Sequence, residues 1–301
     1  MKITKLGAID IGSNSVRCLI VNVIYKEGHT YYKKASMIRL PIRLGQDVFQ
    51  YGKIRKITCD RFLEGMKAYV HFFSVHGVQN FRAVATSAMR EATNSKQVVQ
   101  RVRRKTGINI EVIDGKEEAR LVFSSKLYDA INANESNFVF IDVGGGSTEI
   151  SIIKDKKVLR SKSFKIGGVR LMKELVDAEE WNKMQTWLEK YAKSISQKAA
   201  IGAGGNINKL HKISLQPVTE ALSYEYIERQ RMFIQSLDID RRVTEIGLNF
   251  DRADVITHGL DIYLKIMKWA GCHDIYVPKM GVSDGLIRDI YQREFRSEIE
   301  Q

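Results

Sequence analysis

Proline and cysteine are scarce, three of each in 301 residues, and the chain has no glycine-serine tract and no acidic tract. That composition excludes a long disordered arm or flexible linker. Cys18, Cys59 and Cys272 are far apart in sequence, which argues against a disulfide framework or a zinc site; Cys18, inside the apolar run 18–21, is expected as a buried free thiol. The six histidines fall in no H-E-x-x-H or comparable ligand spacing and receive no role. No run of 18 apolar residues occurs, and the first residues reach Gly7 and polar positions before any long apolar stretch. Neither a membrane span nor a secretory leader is therefore expected, and the chain is read as cytoplasmic.

What is present suffices for a sizeable core. Apolar residues make up 44%, and the length favours two compact domains over one. Lys and Arg outnumber Asp and Glu by 48 to 35, a formal net charge of +13, so the long-range field attracts polyanions without saying which.

Self-similarity gives the architecture. The segments LGAIDIGSNSVRCLIVNV (6–23) and FVFIDVGGGSTEISII (138–153) share one pattern: an apolar strand ending in Ile-Asp, a short turn of Gly, Ser and Asn, then a second apolar strand. Glycine lets the backbone approach an anion, successive N–H groups form a concave nest, and hydroxyls add donors. A carboxylate at the strand end, Asp10 or Asp142, is suited to a magnesium or manganese ion, which takes one or two carboxylates together with phosphate oxygens. One Gly-rich hairpin is usually an ordinary turn; two copies led by Ile-Asp point to paired phosphate-binding hairpins. Ser13, Asn14, Gly144, Gly145, Gly146 and Ser147 are thus phosphate-binding candidates.

Strands are predicted at 81–86, 108–113, 199–203 and 275–277, and helices at 58–76, 94–106, 169–176, 181–197, 223–237, 253–269 and 284–298. The alternation is that of an α/β protein, and the repeat implies two similar lobes, one hairpin from each, facing across a cleft. The first domain is expected over 1–124 and the second over 125–301, with the C-terminal helix 286–301 able to pack back on the first. Trp181, Trp187 and Tyr191 lie at helical spacing and read as core.

Further candidates lie at element ends. Asp114-Gly115-Lys116-Glu117-Glu118 opens a helix expected to run to about residue 131. Acidic residues in a first turn commonly complement the helix dipole. Because this helix closes the first lobe, Glu118 is also placed to deprotonate a water attacking a terminal phosphorus. Arg90, just past the strand 81–86, suits a bidentate grip on phosphate oxygens, with a salt bridge as its ordinary alternative. Arg17 and Arg43 are weaker candidates of the same kind. Gly204 and Gly205, in GAGGN between a strand and a helix, offer amides to another phosphate or to a ribose, or form a tight turn.

The ordered set AIDIGSNSVR, ATSAMREATN, IDGKEEARL, FIDVGGGSTEI, GGVRL, GAGGNINKL and RADVITHGLDI resembles the exopolyphosphatase and guanosine pentaphosphate phosphatase (Ppx/GppA) family over nearly the whole chain. The resemblance implies two ribonuclease-H-like domains of the actin-like ATPase superfamily. It also implies Mg²⁺-dependent removal of terminal phosphate from polyphosphate or a guanosine polyphosphate. Matched by motif, Glu118 corresponds to the family's catalytic base and Asp142 to its metal-binding aspartate. Gly145, Gly146 and Ser147 correspond to binders of the terminal phosphate, and Arg90 to the phosphate-gripping arginine. Asp10, Ser13, Asn14 and Glu149 follow, with Asp10, Glu118 and Glu149 joining Asp142 as metal-ligand candidates.

The chain resembles the short subclass that lacks a further C-terminal helical region, so limited processivity is expected. GAGGN replaces the more usual threonine-containing loop, and GVSDGLIRD replaces the more usual GLREG. An ATP-dependent kinase of the same fold and a non-catalytic polyphosphate or alarmone sensor are the rival readings. No specific nucleic-acid partner is expected, and a homodimer is the default oligomer.

Overall fold

The structure is a computed structural model that describes residues 1–124, 136–155, 157–196 and 198–295. The chain divides into two compact units: Met1–Ser125 with Gly281–Gln301, and Lys126–Met280. Their elements run, in the first unit, β1 (Lys2–Ile11), β2 (Val16–Lys26), β3 (His29–Leu40), α1 (Leu44–Tyr51), α2 (Lys56–His76), β4 (Asn80–Ala85), α3 (Ser87–Glu91), α4 (Ser95–Thr106), β5 (Ile110–Val112) and α5 (Gly115–Ser124). In the second unit come β6 (Asn137–Val143), β7 (Thr148–Lys154), β8 (Lys157–Phe164), α6 (Gly168–Met172), α7 (Ala178–Tyr191), β9 (Lys198–Ala203) and α8 (Gly205–Ser214). Then follow β10 (Leu222–Ser223), α9 (Tyr224–Ser236), α10 (Ile239–Thr244), α11 (Phe250–Ala253), α12 (Ile256–Ala270) and β11 (Asp274–Tyr276), before α13 (Val282–Glu294) rejoins the first unit.

Each unit holds one mixed sheet of the same plan. The first has the order β3-β2-β1-β4-β5, with β1–β2 and β2–β3 antiparallel and β1–β4 and β4–β5 parallel. The second repeats it as β8-β7-β6-β9-β11 and adds β10, antiparallel to β11, at the far edge. This is the ribonuclease-H-like order: a central strand with an antiparallel hairpin partner on one side and a parallel strand on the other. The central strands β1 and β6 carry near-continuous apolar runs because both their faces are covered. The edge strands β3 and β8 are mostly exposed and blunted by Lys33, Lys34, Lys157 and Lys162.

In the first unit, α2 buries Phe62, Met66, Tyr69 and Phe73 against Ile9, Ile11, Cys18 and Ile20, as its spacing predicts. Gly77 ends the helix at φ 68°, its N–H bonded to Phe73 O and Ser74 O. On the other face, α13 packs on β1, β2, β4 and α5. Gly285 makes this approach feasible, since a Cβ there would lie only 1.8 Å from Leu121 O of α5. In the second unit, α12 is the central helix, packed against α6, α7, α8, α9 and β6. Trp181, Trp187 and Tyr191 pack at the margin of this core, as read from their spacing. Cys18, Cys59 and Cys272 are free and buried, and burial pushes the Cys18 and Cys272 thiols up to about 12.

Several boundaries differ from expectation. The helix predicted at 169–176 stops at Met172, and that predicted at 181–197 is α7, ending at Tyr191; residue 197 lies outside the described residues. The helix predicted at 253–269 is two, α11 and α12, parted at Asp254 and Val255, which belong to neither. Asn94 occupies the N-cap position of α4 without capping it, because its amide bonds both Ile54 N (3.0 Å) and Ile54 O (2.8 Å). The expected extension of α5 to about 131 lies outside the described residues, whereas the helix predicted to reach 298 ends at Glu294, with Phe295 at φ −124° outside it. Among the described residues no helix is long and apolar enough to cross a membrane.

Two consequences can be measured. Gly285→Ala forces α13 away from the α5 backbone and is expected to destabilise the first unit by about 2–3 kcal/mol in urea unfolding; an unchanged midpoint would show that the helices separate freely. Asp47 is buried, accepting from Arg55 N at 2.9 Å and Arg55 Nε at 2.8 Å. Burial raises its carboxyl, but hydrogen bonds from Arg55 and Thr58 outweigh that and hold it below the usual aspartate value. A depressed folded value stabilises above the unfolded pKa, and the gain is lost as pH falls through the folded value. Asp47→Asn is therefore expected to cost about 1–3 kcal/mol at neutral pH. The gap from the parent chain should close below about pH 4, and a gap independent of pH would remove the charge from the account.

Candidate functional site

The two glycine turns are closed by the same bond. Gly12 N–H donates to Ser15 O at 3.1 Å, and Gly144 N–H donates to Ser147 O at 2.9 Å. Each turn is also strapped by the segment that follows the third strand of its sheet. In the first unit, Arg43 N–H donates to Asn14 O (3.0 Å) and Gly45 N–H to Ser13 O (2.7 Å). In the second, Gly168 N–H donates to Gly144 O (3.0 Å), while Val169 and Arg170 N–H donate to Gly145 O (2.9 and 3.1 Å). Arg170 Nε completes the strap on Gly146 O at 2.9 Å.

The direction of these bonds sets what the turns present. A planar trans peptide points its C=O and the following N–H to opposite sides. With the carbonyls of Gly144, Gly145 and Gly146 drawn to the strap, the N–H groups of Gly145, Gly146 and Ser147 face away from it as three successive donors. Successive donors in a turn can form an anion nest. By the same argument the first turn presents the N–H groups of Asn14 and Ser15. Gly167 permits the second strap to lie this close, because a Cβ there would sit 2.5 Å from Gly145 C, Gly145 O and Gly146 N.

Asp10 ends β1, opposite Arg17 in the ladder and 3.8 Å from its guanidinium. Burial raises the Asp10 carboxyl, Arg17 opposes this, and the charge of Asp284 on α13 adds to the rise. Asp284 itself accepts from Gly281 N at 3.1 Å and pairs with Lys34 at 2.7 Å. The departure GVSDG thus brings a second carboxylate into the surroundings of Asp10, a role that no local motif signals. Arg43, at φ 60°, serves the turn through its backbone N–H.

Arg90, on α3, donates from Nη1 to Ile113 O at 2.7 Å and to Glu118 Oε2 at 3.2 Å. The expected phosphate grip and the expected base are therefore partners within one unit. The pairing orients the Glu118 carboxylate at the start of α5, where its residue is buried.

In the second unit Asp142 is half-buried at the end of β6, in register with Glu149 on β7 and Ala203 on β9. Gly204 adopts φ 112°, and a Cβ on it would lie 2.6 Å from Val143 O and 3.2 Å from Asp142 Oδ1, so the chain turns from β9 into α8 directly against that carboxylate. Gly205 begins α8. Glu149 accepts at Oε1 from the hydroxyls of Ser147 and Ser163, both at 2.8 Å, which fixes the Ser147 side chain beneath the nest. Tyr263 was not singled out by the sequence. Its hydroxyl donates to Ala203 O and accepts from Val143 N at 3.4 Å, clipping β6 to β9 beside Asp142. Burial and the Asp142 charge push that phenol well above its ordinary value, so it stays a neutral donor. Only its place on the apolar face of α12 was visible in the sequence. Asn206 of GAGGN is buried against Gly259 of α12, where a Cβ would meet its amide at 2.0 Å.

Among the described residues no three His, Cys, Asp or Glu side chains converge on a common point. Asp10 and Glu118 belong to the first unit, Asp142 and Glu149 to the second. A magnesium ion bound with phosphate needs only one or two carboxylates, and a half-buried aspartate beside an amide nest fits that donor set.

The model of the Ppx/GppA phosphatase family matches residues 23–294. The chain belongs to this family. It is 32% identical over 170 residues to exopolyphosphatase 1 of Mycobacterium leprae, covering 56% of this chain and 49% of the relative. To the guanosine-5'-triphosphate,3'-diphosphate pyrophosphatase of Vibrio vulnificus it is 26% identical over 309 residues, covering 98% of this chain and 60% of the relative. The chain thus spans about half to three-fifths of the length of these curated relatives. The crystal structure of the Aquifex aeolicus Ppx/GppA family member is similar with a TM-score of 0.75 and 26% identity, over 98% of this chain and 100% of that one.

Substituting Gly167 tests the nest. Gly167→Ala is expected to displace the second turn and weaken tripolyphosphate binding at least about tenfold, roughly 1.4 kcal/mol, in calorimetric titration, with the circular dichroism spectrum retained. Unchanged affinity would take the second turn out of the binding site.

Proposed function

We propose that this Ppx/GppA family member is a phosphohydrolase that releases terminal orthophosphate from inorganic polyphosphate. The observation that carries the reading is the repeated strap, which turns a run of backbone donors outward from a glycine turn in each unit. Fixed amides suit a polyanion because they need no reorganisation as charge shifts between phosphate oxygens.

In this reading the N–H groups of Gly145, Gly146 and Ser147 bind oxygens of the terminal phosphoryl group. Those of Asn14 and Ser15, with Ser13, bind phosphates of the chain, and Gly204 and Gly205 offer further amides. Arg90 holds the Glu118 carboxylate, and Glu118 takes a proton from the attacking water. The new P–O bond forms as the anhydride bond breaks, and the shortened chain leaves as an anion. Asp142 would hold magnesium or manganese, with Glu149, opposite it in the ladder, as the second carboxylate. When bound, that ion supplies charge neutralisation on the phosphate oxygens.

Hydrolysis of guanosine pentaphosphate is the second reading. The match to the Vibrio vulnificus pyrophosphatase favours it, since it extends over 98% of this chain against 56% for the Mycobacterium leprae exopolyphosphatase. Both substrates present a terminal phosphoryl group on an anionic chain.

Orthophosphate release in Mg²⁺ from short polyphosphate, long polyphosphate and guanosine pentaphosphate, by the parent chain and by Glu118→Gln, tests both. A turnover loss of about 10²–10⁴-fold in the variant, with binding retained, is the expected outcome for a general base. Full activity in Glu118→Gln would remove Glu118 from the chemistry. Binding without release from any substrate would replace the enzyme with a sensor.

A further inference from the structure

A groove of about 590 Å³ opens in the first unit where α2 and α4 begin, and no residue of either glycine turn lines it. Its polar lining is Lys53, Arg55, Lys56, Asn94, Gln97 and Arg101. Four of these six are cations and none is acidic. The acids that reach them lie outside the lining: Asp47 holds Arg55, and Asp60 meets Arg101 at 2.6 Å and Lys56 at 3.3 Å. Two carboxylates against four cations leave the groove positive.

The walls are fixed. Thr93 N–H donates to Gly52 O at 2.9 Å, and the Asn94 amide bonds both backbone groups of Ile54, so the segment carrying Lys53 and Arg55 is pinned to the start of α4. Arg101 Nη1 donates to Cys59 Sγ at 3.3 Å, anchoring the guanidinium against the buried thiol. Neither α2 nor α4 has an acidic residue in its first turn or a side-chain cap, so both positive dipole ends add to the field of the cations.

We propose that this groove is a second anion site that binds a run of linked phosphates. Its volume falls within the roughly 300–1,000 Å³ of small-molecule sites. A chain of closely spaced charges matches four cations better than a single orthophosphate does. The choice of ligand class rests on the proposed activity; the cationic groove itself does not. Two sources carry this chemistry: the stretch of a polyphosphate chain behind the end being cleaved, or a nucleoside polyphosphate bound as a separate molecule.

The test uses the full chain carrying Glu118→Gln, titrated calorimetrically with tripolyphosphate, long-chain polyphosphate and guanosine tetraphosphate. Lys53→Glu with Lys56→Glu reverses two exposed charges and is expected to abolish one class of binding site for at least one of these anions, with affinity there falling at least tenfold. Gln97→Glu is an independent second variant: it gives α4 the first-turn acid it lacks, so thermal stability should hold or rise while anion binding falls. With Glu118 intact, the lysine variant should keep kcat on tripolyphosphate. A raised KM for long-chain polyphosphate alone assigns the groove to the chain, and loss of guanosine tetraphosphate binding alone assigns it to the nucleotide. Unchanged titrations with all three anions in both variants would overturn the proposal. If the Glu118-intact chain released no phosphate, the hydrolase reading would fail while the titrations still decided the groove.

Discussion

The side to which the two glycine turns present their amides depends on where a few peptide carbonyls are tied. A glycine turn left to itself has no reason to present its amides to one side. Here the carbonyls of Ser13 and Asn14, and of Gly144, Gly145 and Gly146, accept bonds from the strand-following segments, and planarity then sends the next N–H groups the other way. The strap therefore converts flexible residues into fixed dipoles. It also explains why both units keep the third strand and the segment after it: without β3 and β8 there would be nothing to carry residues 43–45 and 168–170 back to the turn.

The same arrangement explains what could be read from the sequence. Strand-turn-strand around Asp10 and Asp142 was visible because apolar runs, strand-end aspartates and glycines each leave a residue-type signature, and two copies reinforce each other. The two similar lobes followed from that repeat, and the ribonuclease-H-like fold from the family resemblance that the motif order carries. The straps left almost no signature, because their donors are mainly backbone N–H groups that any residue but proline supplies; Arg43 stood out as a cation, and nothing in its residue type pointed to the bond from its amide to Asn14 O. Gly167 was visible only as part of a motif, its close approach to Gly145 and Gly146 being a matter of three dimensions.

Long-range packing was harder still. Glycine weakens a helix interior, yet Gly285 in α13 and Gly259 in α12 are each where another element comes within contact distance, Leu121 in one case and Asn206 in the other. Tyr263 looked like an ordinary member of an apolar helical face, since nothing local predicts that its hydroxyl reaches two strands. Helix ends failed for a related reason. Asn94 has the residue type of a cap, but Ile54, forty positions away, competes for its amide and wins both of its bonds.

The repeat is not symmetric where it matters chemically. At the ladder position opposite the strand-end aspartate, the first unit has Arg17 and the second has Glu149. Arg17 already offsets the charge of Asp10, whereas Asp142 faces another carboxylate that is itself held by the hydroxyls of Ser147 and Ser163. A divalent cation gains less beside an ion-paired carboxylate than beside two carboxylates and a bound phosphate. The nests differ in the same direction, with three successive outward amides on the second turn and two on the first. In the proposed function, this difference across the ladder favours the second turn for a metal-bound terminal phosphate and leaves the first better suited to phosphates without a metal.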